Sequence, residues 1–291
     1  MLEFEEIYPK IRIYKNMWKD INLTTDTIIN SDINPEGSAF YGSGQENNSG
    51  WKQWYTFGKD ADSFNENLLE TERGKQEQEV LKEIREIYLK CSNHYLKDYK
   101  LEIDMEEKVS EYSTKSRWIF IGPSICKYDV GGGVKEPKLD LAMYMHTDYQ
   151  EEYKDSEGYQ FVLTCNMYLN DDYGGGDVDF LIGEDTLISY KPKSGDVIIF
   201  PSGHPKYLSD KGNLYYHGAK MVYDKPKYFI RNHVCVWNDA NDEWKENEKI
   251  YGKEVWNEMN REKVRNLRKT GQIKSIDHET LLEKVKVIKW N

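Results

Sequence analysis

From Arg117 to Trp237 short apolar runs alternate with Gly, Pro, Asn and Asp. The runs are WIFIGPSICKY (118–128), LDLAMYMH (139–146), QFVLTCNMYLN (160–170), DVDFLIG (177–183), DTLISYK (185–191), DVIIFP (196–201), YYHGAKMVY (215–223) and KYFIRNHVCVW (227–237). Eight such runs at close spacing predict the strands of an all-β sandwich or barrel. Upstream the pattern differs. Ile7 to Trp18 alternates enough to predict one opening strand, and Ser38 to Asn48 is rich in Gly, Ser and Asn and predicts a long loop. Residues 63–97 lack Pro and repeat Leu68, Leu69, Val80, Leu81, Ile84, Ile87, Tyr88, Cys91 and Tyr95 at helical spacings, with Gly74 marking a break. After Asn238 two helical stripes are expected. One carries Val255, Trp256, Met259, Val264 and Leu267, the other Leu281, Leu282, Val285 and Ile288. No repeat or low-complexity tract interrupts this order. It predicts a single domain: N-terminal supporting elements (1–116), a β core (117–237) and a C-terminal helical extension (238–291).

Composition narrows the class. The 291 residues include 22 Tyr, 9 Phe and 8 Trp, enough bulky apolar matter for a core, which excludes wholesale disorder. No apolar run reaches the roughly 20 residues of a membrane helix, and the start MLEFEE is acidic where a secretory signal is basic. The expectation is a cytoplasmic protein without membrane contact. Forty basic against 51 acidic side chains give a net charge of -11, which disfavours phosphate backbones, so no nucleic-acid partner is expected. Cys91, Cys126, Cys165 and Cys235 form no CxxC pair, which excludes a zinc site built on Cys pairs and disfavours a disulfide framework. Cys165 and Cys235 read as buried free thiols.

The candidate chemistry starts at His146-Thr147-Asp148, which closes the second core run. In a strand residues i and i+2 face the same way, so both side chains can converge on one ion. A third ligand is available at His217. Two His and one carboxylate on one octahedral face leave three positions open, the arrangement used for non-heme Fe(II) and O2. His204, in PSGHPKY, is a rival, but strand placement favours His217. Ten residues past His217 stands Lys227, which shares one strand face with Phe229, Arg231 and His233. Lys227 and Arg231 are both candidates for holding a cosubstrate carboxylate, because an inward cation is costly without an anion. His233 is expected to be hydrogen-bonded in or near the core, and His94 and His278 to lie on the surface.

Five blocks in this order, CKYDVGG, MHTD, TCNMYLNDDYGGGDVDF, PKSGDVIIFPS and HGAKMVYDKPKYFI, resemble the prolyl 4-hydroxylase-like family of Fe(II)/2-oxoglutarate dioxygenases over about 120 residues. The resemblance implies an α+β chain with a mainly β core, a double-stranded β-helix of jelly-roll or cupin-like type with flanking helices. It implies His146, Asp148 and His217 as iron ligands and Lys227 as the residue binding the C5 carboxylate of 2-oxoglutarate. Tyr168 would hydrogen-bond the same carboxylate, with Thr164 and Asn166 on the same inward face, and Tyr128 would line the pocket. Gly174-Gly175-Gly176-Asp177 would be a structural turn. The implied cofactors are Fe(II), 2-oxoglutarate and O2, with ascorbate (vitamin C) as reductant.

The implied reaction hydroxylates a C–H bond, with a prolyl residue of a peptide or protein as the favoured substrate, and releases succinate and CO2. A free amino acid or another small metabolite is the alternative. Two further readings belong to other classes. One is a non-catalytic β-helix binding module, set against the joint presence of all three ligands and the cation. The other is a zinc hydrolase, set against the lack of a Glu base beside the triad. Tyr41 to Gly50, Val130 to Leu139 and Tyr149 to Tyr159 are candidate lids. Tyr41, Trp51, Trp54 and Tyr55 are candidates for lining a proline groove.

Overall fold

The computed structural model describes residues 2–20, 40–41, 51–55, 70–99, 118–131, 134–136, 139–148, 159–182, 186–202, 215–237, 249–250 and 286–290. All eight core runs are strands. They are β5 (Trp118–Tyr128), β7 (Leu139–His146), β8 (Tyr159–Tyr168), β10 (Val178–Ile182), β11 (Thr186–Tyr190), β12 (Val197–Pro201), β13 (Tyr216–Lys220) and β15 (Lys227–Trp237). Around them lie β1 (Phe4–Tyr8), β2 (Ile11–Tyr14), β3 (Phe40–Tyr41), β4 (Trp51–Tyr55), β6 (Val134–Glu136), β9 (Gly174–Gly175), β14 (Val222–Tyr223), β16 (Lys286–Trp290) and helix α1 (Glu72–Asp98).

The core strands divide between two sheets. One has the order β1-β2-β12-β8-β15-β5-β4-β3, the other β16-β11-β10-β13-β7-β6, and β14-β9 form a short ribbon. Consecutive core strands repeatedly change sheet, and the sheets share a core of Cys126, Tyr168, Ile198, Phe200 and Phe229 from one and Val178, Phe180 and Ala219 from the other. This is a double-stranded β-helix, as the resemblance implied.

Strands β2, β8, β12 and much of β15 in the larger sheet are buried on both faces, which is why they read as near-continuous apolar runs. Cys165, Met167, Val197, Ile199 and Ile230 face α1, while Tyr168, Ile198, Phe200 and Phe229 face the barrel interior. Helix α1 answers with Val80, Leu81, Ile84, Tyr88, Cys91 and Tyr95 at three- and four-residue spacings. It begins at Thr71, whose hydroxyl accepts the Gly74 N–H at 3.0 Å, so Gly74 belongs to the first turn and breaks nothing.

Several expectations are corrected. The single opening strand is a hairpin: β1 pairs antiparallel with β2 across Pro9 and Lys10, the latter at φ 70, and β2 extends the larger sheet beside β12. Pro9 interrupts what the alternation alone read as continuous. Phe40–Tyr41 pairs with β4, so both the expected 38–48 loop and the first candidate lid contain strand. The second candidate lid contains β6, which folds back on β7 with Val134 opposite Leu141. Ile288 lies in β16, which pairs in parallel with β11, so the second C-terminal stripe ends as a strand. Of the first stripe, and of Leu281 to Val285, nothing falls within the described residues. Residues 249–250 are helical. His94 is not a surface residue: it is half-buried, its Nδ1 is 3.2 Å from the Tyr14 hydroxyl, and its ring packs edge-on to Phe4 and Tyr14. Cys91, Cys126 and Cys165 are buried free thiols. Among the described residues no helix is long and apolar enough to cross a membrane.

Candidate metal and cosubstrate site

His146 is the last residue of β7, and His217 is the second of β13. The antiparallel register sets them directly opposite each other, with ring centroids 4.5 Å apart. Asp148 lies in the bend just past β7, so the bend rather than an extended strand turns its carboxylate back between the rings. Oδ1 is 3.6 Å from His146 Nε2, and Oδ2 is 3.4 Å from His217 Nε2. All three ligand atoms lie within 4.8 Å of one another. Neighbouring ligands of an octahedral ion stand about 3 Å apart when each is about 2.1 Å from it, so small side-chain shifts close this set on a metal. The His146 side chain is 29% exposed against 10% for His217 and 7% for Asp148, so the cluster opens to solvent on the His146 side.

The protonation states suit a metal. Burial pushes His217 down to about 4, leaving a neutral imidazole at neutral pH. Its Nδ1–H donates to the Tyr215 carbonyl at 3.3 Å, which leaves Nε2 as the free lone pair. Burial alone would raise the Asp148 carboxyl, but His217, His146 and His233 outweigh it and hold the group well below the usual range. Two imidazoles and one carboxylate are the donor set expected for Fe(II) with open positions.

Lys227 opens β15 and has no solvent-accessible surface. Its ammonium donates to the Gly176 carbonyl at 2.6 Å. It lies 4.8 Å from the Tyr168 ring centroid, 5.6 Å from that of Tyr173, 5.7 Å from that of Tyr128 and 6.0 Å from that of Phe229. Among the described residues no carboxylate is within ion-pair distance of it. Burial pushes its pKa down to about 7, and nearby Lys191 pushes the same way. The Gly174–Gly176 turn makes this approach possible. Gly176 has φ +69, and a Cβ there would stand 2.6 Å from the Tyr173 ring. The expected structural role of that turn therefore includes presenting a carbonyl to Lys227.

Tyr128 and Tyr168 are buried, and burial raises both phenols above their ordinary range, so both stay protonated. Tyr173 was not singled out by sequence reasoning. Its hydroxyl is buried and makes no hydrogen bond among the described residues. A buried ammonium with one carbonyl partner beside an orphaned phenol fits an anionic oxygen ligand. The GGGD block was the available signal, since Tyr173 directly precedes it.

Arg231 stands on the same inward face of β15, paired with Asn166 of β8 and Ser124 of β5. It lies four residues nearer the His233 end than Lys227, about 13 Å along a strand. His233 is buried, as expected, and its ring stacks on Phe161 at 4.2 Å. His204, His278 and most of the third candidate lid fall outside the described residues.

Residues 140–237 match the model of the 2OG-Fe(II) oxygenase superfamily. No curated protein matches the sequence. Among solved structures, the dioxygenase for auxin oxidation 1 from Arabidopsis thaliana, in complex with 2-oxoglutarate, aligns at TM-score 0.50 and 14% identity over 79% of this chain and 84% of that one. A Pseudomonas putida prolyl-4-hydroxylase aligns at TM-score 0.46 and 12% identity over 79% and 93%. The viral collagen prolyl hydroxylase of Paramecium Bursaria Chlorella virus-1 aligns at 0.44 and 17% over 79% and 97%. At such identities the Arabidopsis structure speaks for the fold alone. The matched span holds all three members of the His-Asp-His cluster, so residues 140–237 resemble the 2OG-Fe(II) oxygenase superfamily at the side chains that could hold a metal.

Proposed function

We propose that this chain hydroxylates a C–H bond of a prolyl residue in a peptide or protein, consuming 2-oxoglutarate and O2 and releasing succinate and CO2. The observation that carries the reading is the joint presence, in one β-helix, of an open His146-Asp148-His217 cluster and a buried, aromatic-walled Lys227. His146, Asp148 and His217 would hold Fe(II). Bound iron supplies the oxygen chemistry, in which one oxygen atom of O2 goes to the C–H bond and the other to succinate.

The chain's own groups do the rest. Lys227 donates to the C5 carboxylate of 2-oxoglutarate, and the Tyr168 phenol donates to the same group. Tyr128 closes the pocket wall. Lys227 is favoured over Arg231 because its ammonium is wholly buried with only a carbonyl partner, so an anion offsets a desolvation cost already present. The phenols stay protonated and the aromatic wall keeps water away, which strengthens each of these bonds. Ascorbate would serve as reductant, returning iron to the ferrous state after turnover without substrate.

The test is turnover of purified protein with Fe(II), ascorbate, 2-oxoglutarate and proline-containing peptides, reading succinate and a one-oxygen mass gain on the peptide. Succinate together with oxidised peptide, both abolished in Asp148→Ala, is the expected result. Substrate-free succinate formation with no oxidised peptide, and oxidation of a free amino acid instead, would move the substrate to the small-molecule class.

A further inference from the structure

Behind the cluster lies a polar group that the ligand set does not account for. Thr164 of β8 is fully buried, and its hydroxyl is hydrogen-bonded to Asp148 Oδ2. The same oxygen is 3.0 Å from Ser202 Oγ and 3.4 Å from His233 Nδ1. Ser202 and His233 are buried too. These residues come from three places: β8, the end of β12 and β15. Register explains two of them, since Thr164 is opposite Phe200 on one side and His233 on the other.

Proton counting fixes the direction of each bond. An ionised carboxylate only accepts, so Thr164 gives its single proton to Asp148. Its two lone pairs are then free to accept from the Ser202 hydroxyl and from the His233 Nδ1–H. A hydroxyl that accepts two hydrogen bonds is polarised into a stronger donor. Two buried donors that otherwise lack an acceptor at this point are satisfied at the same time.

We infer that Thr164, held by Ser202 and His233, is a positioning residue that fixes the plane of the Asp148 carboxylate. With Oδ2 tied back to Thr164, Oδ1 is presented to the metal and the carboxylate binds through one oxygen. A carboxylate free to rotate would bind through both and close one of the three positions the reaction needs. The inference rests on the metal role proposed for Asp148, and it concerns how that ligand is held rather than whether it is one.

The test uses Co(II) as a spectroscopic probe of the metal-free full chain, with no cosubstrate and no turnover. Thr164→Val is expected to weaken Co(II) binding by about 10–100-fold, the usual cost of losing a partner of a metal ligand, and to change the ligand-field spectrum. Thr164→Ser, which keeps the hydroxyl, is expected to restore both to within about threefold of wild type. A purely structural role would lower thermal stability in the valine variant while leaving affinity and spectrum as in wild type, and that result overturns the inference. Ser202→Ala, a smaller change, guards against misfolding of the valine variant; it is expected to lose several-fold in affinity, and unchanged binding counts against the inference. Wild type that binds no Co(II) removes the metal reading as well as this one, whereas wild type and valine variant binding alike removes only this one.

Discussion

At the scale of single residues, the account turns on Lys227. Water is excluded from its ammonium, which lowers its pKa to about 7 from an ordinary 10.5. A bound carboxylate favours the ammonium, so binding and protonation are linked. The proposed role of Lys227 therefore predicts an affinity for 2-oxoglutarate that is full below about pH 7 and falls by about tenfold per unit as pH rises above that value. The stability of the ligand-free protein runs the other way. Between about 7 and 10.5 the unfolded chain holds a proton that the folded chain has lost, so stability rises with pH across that window. Calorimetry at several pH values, in buffers of different ionisation enthalpy, reads both affinity and proton uptake. Lys227→Met should weaken 2-oxoglutarate binding by at least about a hundredfold, from the roughly 3–5 kcal/mol that breaking a buried ion pair costs. It should also remove the pH dependence above 7 while leaving the ligand-free protein no less stable. A methionine variant that binds as wild type does would send the carboxylate to Arg231.

At the scale of elements, α1 and the site strands depend on one another. The Tyr88 hydroxyl donates to the Ile230 carbonyl of β15 at 2.6 Å and accepts the Met167 N–H of β8 at 3.0 Å. It bonds the helix to the two strands that carry Thr164, Tyr168, Lys227 and His233. Tyr88→Phe keeps the ring but leaves two buried backbone groups short of a partner, and should cost about 1–3 kcal/mol in urea unfolding. A change below about 0.5 kcal/mol, typical of surface substitutions, would mean that the ring alone holds the contact. The eight core strands and α1 were legible in sequence because both kinds of element are set by local apolar periodicity. The β1–β2 turn at Pro9-Lys10, β6 and β16 were not, because their pairing depends on distant partners. Residues 286–290, for example, become a strand by lying beside 186–190.

For the whole molecule, the same distinction separates what sequence gave of the site from what it withheld. His146, Asp148, His217 and Lys227 were legible because two of them sit in one short motif and the others follow at a strand-compatible spacing. Tyr173, and Ser202 behind Asp148, were not, because each is placed by the closing of two sheets around one interior. Thr164 was recognised only as inward-facing; its bond to Asp148 is a product of register across β12, β8 and β15. The β-helix thus brings the candidate ligands, the cation and the supporting hydroxyls into one interior from strands far apart in the chain. The most direct test of that arrangement is an anaerobic titration of the metal-free protein with Fe(II) and 2-oxoglutarate, following the visible metal-to-ligand charge-transfer band. The account predicts a band in wild type that is lost or much weakened in His217→Ala. A folded wild-type protein that gives no band, or a His217→Ala variant that gives it undiminished, would contradict the account.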